Sequence, residues 1–228
     1  MKDLDSAREL ARKLVRVGRR ADKKVVALLT DMSAPLGLTI GNALETREAI
    51  DVLRGEGPAD TRELTLRLGA EMLVLGGVAK TTKDARKQLE RAITSGAGLE
   101  RLVRMVEAHG GDPRAVEDTK RLPRAPHRVA VEAPRAGYVT AADALELGLS
   151  SVAMGAGRTR ADQAVDPAVG IELSAKRGDR VAKGEPLCWL HVRSKRGLAP
   201  IAERAGRAFS IGRTRPAEAP LVLERIAR

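Results

Sequence analysis

Aromatic residues are almost absent from this 228-residue sequence, which has only Phe209, Tyr138 and Trp189. Because hydrophobic residues still make up 43% of the chain, we expect a core of Leu, Val, Ile and Ala side chains. The lack of aromatic side chains also disfavours a surface that binds single-stranded nucleic acid, since such surfaces stack bases on aromatic rings. The sequence therefore predicts an aliphatic globular core and no nucleic-acid partner.

Cysteine is equally scarce, with Cys188 as the one example. A single cysteine excludes an internal disulfide and suits a reducing compartment. No apolar run reaches the length of a membrane span, and the first residues lack the apolar segment of a signal peptide. These features predict a cytoplasmic protein with no membrane partner.

Acidic residues are outnumbered, because 41 Lys and Arg stand against 30 Asp and Glu, a formal net charge of +11. A basic surface attracts anions such as phosphate, and also nucleic acid. Here the basic residues are spread along the chain and are densest at residues 193–215. We interpret the charge as a solvated basic surface.

The chain is organised around residues 30–57. An apolar run at residues 25–29 predicts a buried strand, and Pro35 and Gly37 predict an irregular turn after it. Asn42 and Glu45 form a capping-box pattern, which predicts a helix from Asn42 to about residue 53 with Gly55 as its stop. A strand, a loop and a capped helix are typical of ligand sites in α/β proteins.

Apolar residues at helical spacing predict further helices. The first of these helices begins at Asp5 or Ser6, and the second covers residues 60–75 with a buried C-terminal half. The third begins after a cap at Thr81 or Thr82, and the fourth covers residues 99–106. A segment rich in Lys, Arg and Pro then predicts a connector at residues 113–126. We therefore expect one domain at 1–112 and another at 127–228.

Beyond the connector the apolar pattern becomes strand-like. Short extended segments are predicted at residues 129–131 and 138–139, a helix at 141–147, and a hairpin-rich barrel or sandwich at 171–192. Residues 221–223 are expected to return a last strand to this barrel. The turns resemble those of biotinyl and lipoyl domains without their Met-Lys context, so Lys176 and Lys183 are interpreted as solvated turn residues.

Most classes of catalytic site find no support in the sequence. His109, His127 and His191 have no metal-ligand or nucleophile spacing, and Cys188 lies in an apolar strand where a buried inert thiol is expected. The turn at residues 155–158 is glycine-rich and carries an arginine, but we interpret it as a structural turn. No phosphate-binding loop or dinucleotide fingerprint occurs.

Four segments resemble the thymidine and pyrimidine-nucleoside phosphorylase family. They read DMSAPLGLTIGNALETREAIDVLRGEGP, LRLGAEMLVLGG, GYVTAADALELGLSSVAMGAGRTR and DPAVGIELSAKRGDRVAKGEPL. The resemblance covers the C-terminal half of that family only. It implies an α/β fold in which part of a mixed-sheet nucleoside phosphorylase domain precedes a small hammerhead-like or barrel α+β domain.

The resemblance implies a pentosyltransferase that converts a pyrimidine nucleoside and phosphate, its co-substrate, into free base and (deoxy)ribose 1-phosphate. The family's phosphate loop and pyrimidine-binding motifs do not occur, so no catalytic residue and no organic cofactor are expected in this chain. The family is homodimeric. A missing N-terminal half, or a separate chain supplying it, would be the partner, and the isolated chain would be inactive.

The resemblance also implies a potassium site. Its ligands would be the backbone carbonyls of Leu36 and Thr39 and the carboxylate of Glu48, and hard oxygen ligands of this kind suit such an ion. Taken alone, the sequence equally allows Glu48 to be a solvated helix carboxylate paired with Arg47 or Arg54. A second hypothesis for the whole chain is a non-catalytic interaction or anion-binding module that keeps the fold.

Overall fold

The computed structural model describes residues 3–227, which form eight α-helices, a short 3-10 helix at Thr119–Arg121 and nine strands. The helices are α1 Leu4–Arg20, α2 Asn42–Arg54, α3 Ala59–Leu75, α4 Thr82–Thr94, α5 Ala97–Ala108, α6 Arg114–Glu117, α7 Ala144–Ala153 and α8 Ala199–Arg207. The strands are β1 Ala27–Thr30, β2 Thr39–Ile40, β3 His127–Glu132, β4 Gly137–Ala142, β5 Gly170–Leu173, β6 Arg180–Val181, β7 Pro186–Val192, β8 Phe209–Gly212 and β9 Val222–Ile226.

The described chain folds as two compact units that interleave along the sequence. One contains the segments up to Asp31, Ala59–Ala97 and from Ala219 onward, and the other contains Met32–Pro58 and Gly98–Glu218. The predicted division at 113–126 follows sequence order, whereas the units follow strand pairing. Two strand pairings, β1 with β9 and β2 with β5, make the units interleave along the sequence. As a division into sequence domains, 1–112 and 127–228 stay predictions.

In the first unit, α1 packs on a two-stranded antiparallel sheet of β1 and β9. Ala11 and Val15 of the helix are buried with Ile226 of β9. The predicted strand at residues 25–29 begins at Ala27 instead and is half-buried throughout, because it has a single partner strand. The prediction that residues 221–223 return to the C-terminal barrel is wrong, since β9 pairs with β1.

The helix pair α3 and α4 completes the first unit. Thr81 caps α4 by accepting a hydrogen bond from the Asp84 N–H at 3.1 Å, as the sequence predicts. The predicted burial of the C-terminal half of α3 is wrong, because Met72 is 70% exposed and Leu66 and Ala70 are the buried residues of the helix. Leu73 and Val74 are only partly buried, against the cluster of α3 and α4, and Leu68 is exposed, so this end of the helix is not enclosed on all sides.

In the second unit, a four-stranded antiparallel sheet has the order β2-β5-β7-β3, and a three-stranded sheet has the order β6-β4-β8. Helices α7 and α8 contact each other, and the core between these elements is centred on Leu147, Ile171, Leu187 and Leu190, which are fully buried. Apart from Phe209, the core is aliphatic, as expected. The mixed α/β architecture with antiparallel sheets confirms the predicted fold class.

Among residues 3–227, no helix combines the length and the apolar character that crossing a membrane would need.

Candidate functional site

Helix α2 supplies the candidate site, and its start differs from the prediction. Gly41 is the N-cap, with a φ of 137°, and its N–H donates to Oε1 of Glu45 at 3.0 Å. A Cβ at Gly41 would lie 2.6 Å from the Val169 carbonyl oxygen, so the close approach of the two backbones needs glycine. Asn42 is therefore the first helical residue rather than the cap, and its side-chain NH2 donates to the Ala156 carbonyl at 2.9 Å.

The rest of α2 follows the sequence prediction. The helix ends at Arg54, and Gly55 terminates it in the left-handed conformation with a φ of 85°. Within this helix Glu48 lies on the second turn, half-buried and turned back toward the preceding loop.

Glu48 is bound to that loop. Its Oε2 atom accepts hydrogen bonds from the Leu38 N–H at 2.7 Å and from the Thr39 hydroxyl at 3.1 Å. The predicted alternative partner, Arg54, donates instead to the carbonyls of Val116 and Glu117, at 2.8 Å each. The structure thus brings together Glu48 and Thr39, two of the three predicted ligand residues.

The carbonyl oxygens of this loop differ in whether the sheet uses them. Strand β2 lies at the edge of its sheet, and the Leu38 carbonyl accepts from the Leu173 N–H at 2.7 Å. Because hydrogen-bonded residues alternate in an antiparallel pair, the next carbonyl, that of Thr39, points away from β5 toward the open edge. Within residues 3–227, the Leu36 carbonyl accepts no backbone hydrogen bond.

Lys176 reaches the same loop, which the sequence analysis did not foresee. Its Nζ donates to the Gly37 carbonyl at 2.7 Å, and the residue is half-buried. The interpretation of Lys176 as a solvated turn residue is therefore wrong, because the preceding β5 pairs with β2 and brings the lysine to residues 36–39. Lys183, by contrast, is exposed in its turn, as predicted.

A cavity of about 320 Å³ opens beside Glu48 and is lined by more acidic than basic side chains. Its charged lining residues are Glu48, Asp51, Glu56, Glu172 and Arg47. No cluster of three or more His, Cys, Asp or Glu side chains suited to a metal is present in the described part of the chain. The donor set consists of one carboxylate and loop carbonyls, which fits a weakly bound, hard monovalent cation better than a transition metal.

The other candidate groups have structural roles or lie exposed. Cys188 is fully buried in β7, and burial raises the pKa of its thiol to about 12. Nε2 of His191 lies 2.9 Å from Oε2 of Glu172, whereas His109 and His127 are exposed. In the glycine-rich turn, Arg158 donates to the Ala161 carbonyl at 3.1 Å, as expected of a structural turn.

Two family models match the sequence. The pyrimidine nucleoside phosphorylase C-terminal domain matches residues 138–212, and the glycosyl transferase family α/β domain matches residues 1–99. A pyrimidine-nucleoside phosphorylase of Bacillus subtilis (strain 168) is 44% identical over 192 residues, which is 84% of this chain and 44% of the relative. The chain belongs to the pyrimidine-nucleoside phosphorylase family.

A second relative in the pyrimidine-nucleoside phosphorylase family comes from Staphylococcus aureus (strain USA300). It is 43% identical over 191 residues, again 84% of this chain and 44% of the relative. The chain spans less than half the length of these curated relatives. The loop at residues 36–39 and Glu48 fall in the first matched segment and Lys176 in the second, so the two segments meet in one compact unit.

Proposed function

We propose that this chain acts as part of a pyrimidine-nucleoside phosphorylase, which converts a pyrimidine nucleoside and phosphate into free base and (deoxy)ribose 1-phosphate. The supporting observation is the 44% identity to a protein of that name over most of the chain. The reaction would proceed by positioning both substrates and stabilising an oxocarbenium-like sugar with phosphate as the nucleophile. A homodimer and a cytoplasmic location stay predictions.

Within this enzyme, the role proposed for the chain's own residues is to hold a potassium ion. The carbonyls of Leu36 and Thr39 and the carboxylate of Glu48 would be its ligands, and the open-edge position of the Thr39 carbonyl supports this. When bound, the ion would place a positive charge next to the phosphate-binding half of the enzyme. The hydrogen bonds from Leu38 and Thr39 keep Glu48 at the loop and orient its carboxylate.

Phosphate-loop and pyrimidine-binding motifs are absent from the sequence, so we expect this chain to contribute no catalytic residue. An N-terminal half, joined to this chain or supplied separately, would provide them. No organic cofactor is needed for phosphorolysis. The Glu48 site would then form one wall of the phosphate side of the cleft.

The test compares the chain alone with the chain joined to residues of the Bacillus subtilis relative that precede the matched region. We expect the joined protein to release uracil from uridine, or thymine from thymidine, only when phosphate is present. The purified chain alone should release no base. Release of base by the chain alone, or a well-folded joined protein without phosphorolysis, would contradict the proposal.

A non-catalytic, anion-binding role is the second candidate. It is favoured by a second cavity, which is lined by Arg47, Arg124 and Arg128 and has no acidic residue in its described lining. This role would be supported if the joined protein remained inactive while the chain bound a small anion at that cavity.

A further inference from the structure

Five basic side chains surround one small cavity in the second unit. Arg47 comes from α2, Arg124 from the segment before β3, His127 and Arg128 from β3, and His191 from β7. We call this the Arg47 cavity; its volume is about 210 Å³, and none of its described lining residues is acidic. Basic groups from three stretches of the chain, at residue 47, residues 124–128 and residue 191, therefore line one cavity with no carboxylate in its described lining.

The charges around the Arg47 cavity are only partly balanced. Glu172 lies behind Arg128 and His191, with its Oε2 atom 3.2 Å from the Arg128 guanidinium and 2.9 Å from the imidazole. The Arg128 guanidinium also stacks over the Trp189 ring at 4.0 Å, which fixes its orientation. The Glu172 carboxylate thus balances the positive charge of Arg128 and orients the His191 ring.

In the described part of the chain, Arg47 and Arg124 form no ion pair of this kind, although Arg47 also lines the more acidic cavity beside Glu48. Within residues 3–227, neither forms an ion pair with a carboxylate, and Nε of Arg47 is buried without any hydrogen-bond acceptor. A buried charged donor with no acceptor is unfavourable, and proteins rarely keep one unless a ligand or water satisfies it. Among the described residues, Arg47 and Arg124 therefore bring two guanidinium groups without a carboxylate partner to the lining of the cavity.

We propose that the Arg47 cavity binds a small oxyanion of the phosphate class, either inorganic phosphate or the phosphate group of a small monoester. A guanidinium binds two oxygens of such an anion at once, and a tetrahedral dianion has oxygens for donors that arrive from several directions. The volume is below the 300–1,000 Å³ range typical of drug-sized ligands, so the cavity matches a small anion better than a whole nucleotide. The site does not depend on the phosphorolysis proposed above.

The test is calorimetric titration of this chain with inorganic phosphate at low ionic strength. Arg124→Gln is the principal variant, because Arg124 is exposed and its replacement leaves the core unchanged. Arg47→Gln is the second, and Arg196→Gln, an exposed arginine of the same unit, is the matched control. Circular dichroism and the unfolding temperature establish that each variant is folded.

We expect Arg124→Gln and Arg47→Gln each to weaken phosphate binding by about tenfold or more, the effect of losing one charge-assisted hydrogen bond. Arg196→Gln should change the affinity less than about twofold, since its charge acts only at long range. Binding of methyl phosphate as tightly as inorganic phosphate would assign the site to monoesters, and much weaker binding would assign it to the free ion. Either result supports the phosphate class.

Three results would overturn the proposal. The first is the absence of phosphate binding to the folded wild-type chain at millimolar concentrations. The second is an equal loss of affinity in Arg124→Gln and Arg196→Gln, which would mean that only the overall positive charge attracts the anion. The third is acetate binding as strongly as phosphate, which would make the cavity a general carboxylate site.

Discussion

The Thr39 hydroxyl donates a 3.1 Å hydrogen bond to Oε2 of Glu48, the same oxygen that accepts the Leu38 N–H. The relationship gives the Thr39 side chain a role that the sequence analysis did not assign, since only the Thr39 carbonyl was expected to matter. Two adjacent loop residues hold one carboxylate oxygen, so the Glu48 side chain and the loop form one structural element. The first two predictions concern this element.

We expect Glu48→Gln, in a protein that contains both halves of the enzyme, to reduce the dependence of phosphorolysis on potassium and to raise the KM for phosphate. The amide keeps the shape of the side chain and can still accept the Leu38 and Thr39 hydrogen bonds, but it removes the charge that a cation needs. Initial rates at varied potassium and phosphate concentrations measure the effect. Glu107→Gln, at an exposed position of α5, is the control. Unchanged potassium dependence in Glu48→Gln would show that Glu48 is an ordinary helix carboxylate without a role in cation binding.

Thr39→Val should lower the free energy of unfolding by roughly 0.5–1.5 kcal/mol, the usual net value of one intramolecular hydrogen bond. Valine preserves the branched shape and removes only the hydroxyl that donates to Glu48. Urea unfolding of this chain measures the change. Thr214→Val, at an exposed turn position, is expected to leave the unfolding free energy almost unchanged. Equal stabilities of the two variants would show that the Thr39 hydroxyl contributes nothing to the fold.

Gly41→Ala is expected to destabilise the chain by about 1–3 kcal/mol, because the backbone there has a φ of 137° and the Val169 carbonyl leaves no room for a Cβ. Gly148→Ala offers a matched comparison inside helix α7, where a Cβ would meet nothing within 4 Å. This second substitution should stabilise by roughly 0.5–1 kcal/mol through helix propensity. Thermal unfolding should show a lower stability for Gly41→Ala and a higher stability for Gly148→Ala than for the unsubstituted chain. A stability change of the same sign in both variants would contradict the close approach at Gly41.

Cys188 should resist alkylation in the folded chain and react readily in denaturant. Burial raises the pKa of its thiol from 9.0 to about 12, so the thiolate is scarce at pH 8 as well as inaccessible. The same shift means that the buried thiol's contribution to stability is complete below pH 9 and is lost as the pH rises toward 12. The rate of iodoacetamide labelling with and without urea measures the protection. Comparable rates in both conditions would show that β7 opens easily.

The helices of this chain could be predicted well from sequence because their signals are local. Thr81 and Gly55 mark the start of α4 and the end of α2, and each does so through bonds to residues only a few positions away. Asn42 was misassigned because Gly41 lies in a conformation imposed by Val169, more than a hundred positions further on. A local pattern carries no information about such a neighbour.

Strand pairing was the part that the sequence could not provide. The pairing of β9 with β1, and the contact of Lys176 with Gly37, join residues far apart in the chain whose own patterns are short and ordinary. The Glu48 site was predicted through resemblance and not through periodicity, since a helix carboxylate next to two arginines has an unremarkable local explanation. The Arg47 cavity likewise depends on segments that only the folded structure brings together.

The pairing of β2 with β5 has a consequence for anyone who divides this chain. A cut between the two matched family segments would remove the two-residue strand Thr39–Ile40 from the sheet and expose the edge of β5. Ile171 and Leu173 on that strand are buried in the intact unit, and an uncovered apolar edge recruits other chains. Any exchange of the C-terminal segment between relatives must therefore carry the loop and helix of residues 36–54 with it, because the sheet is completed only by both.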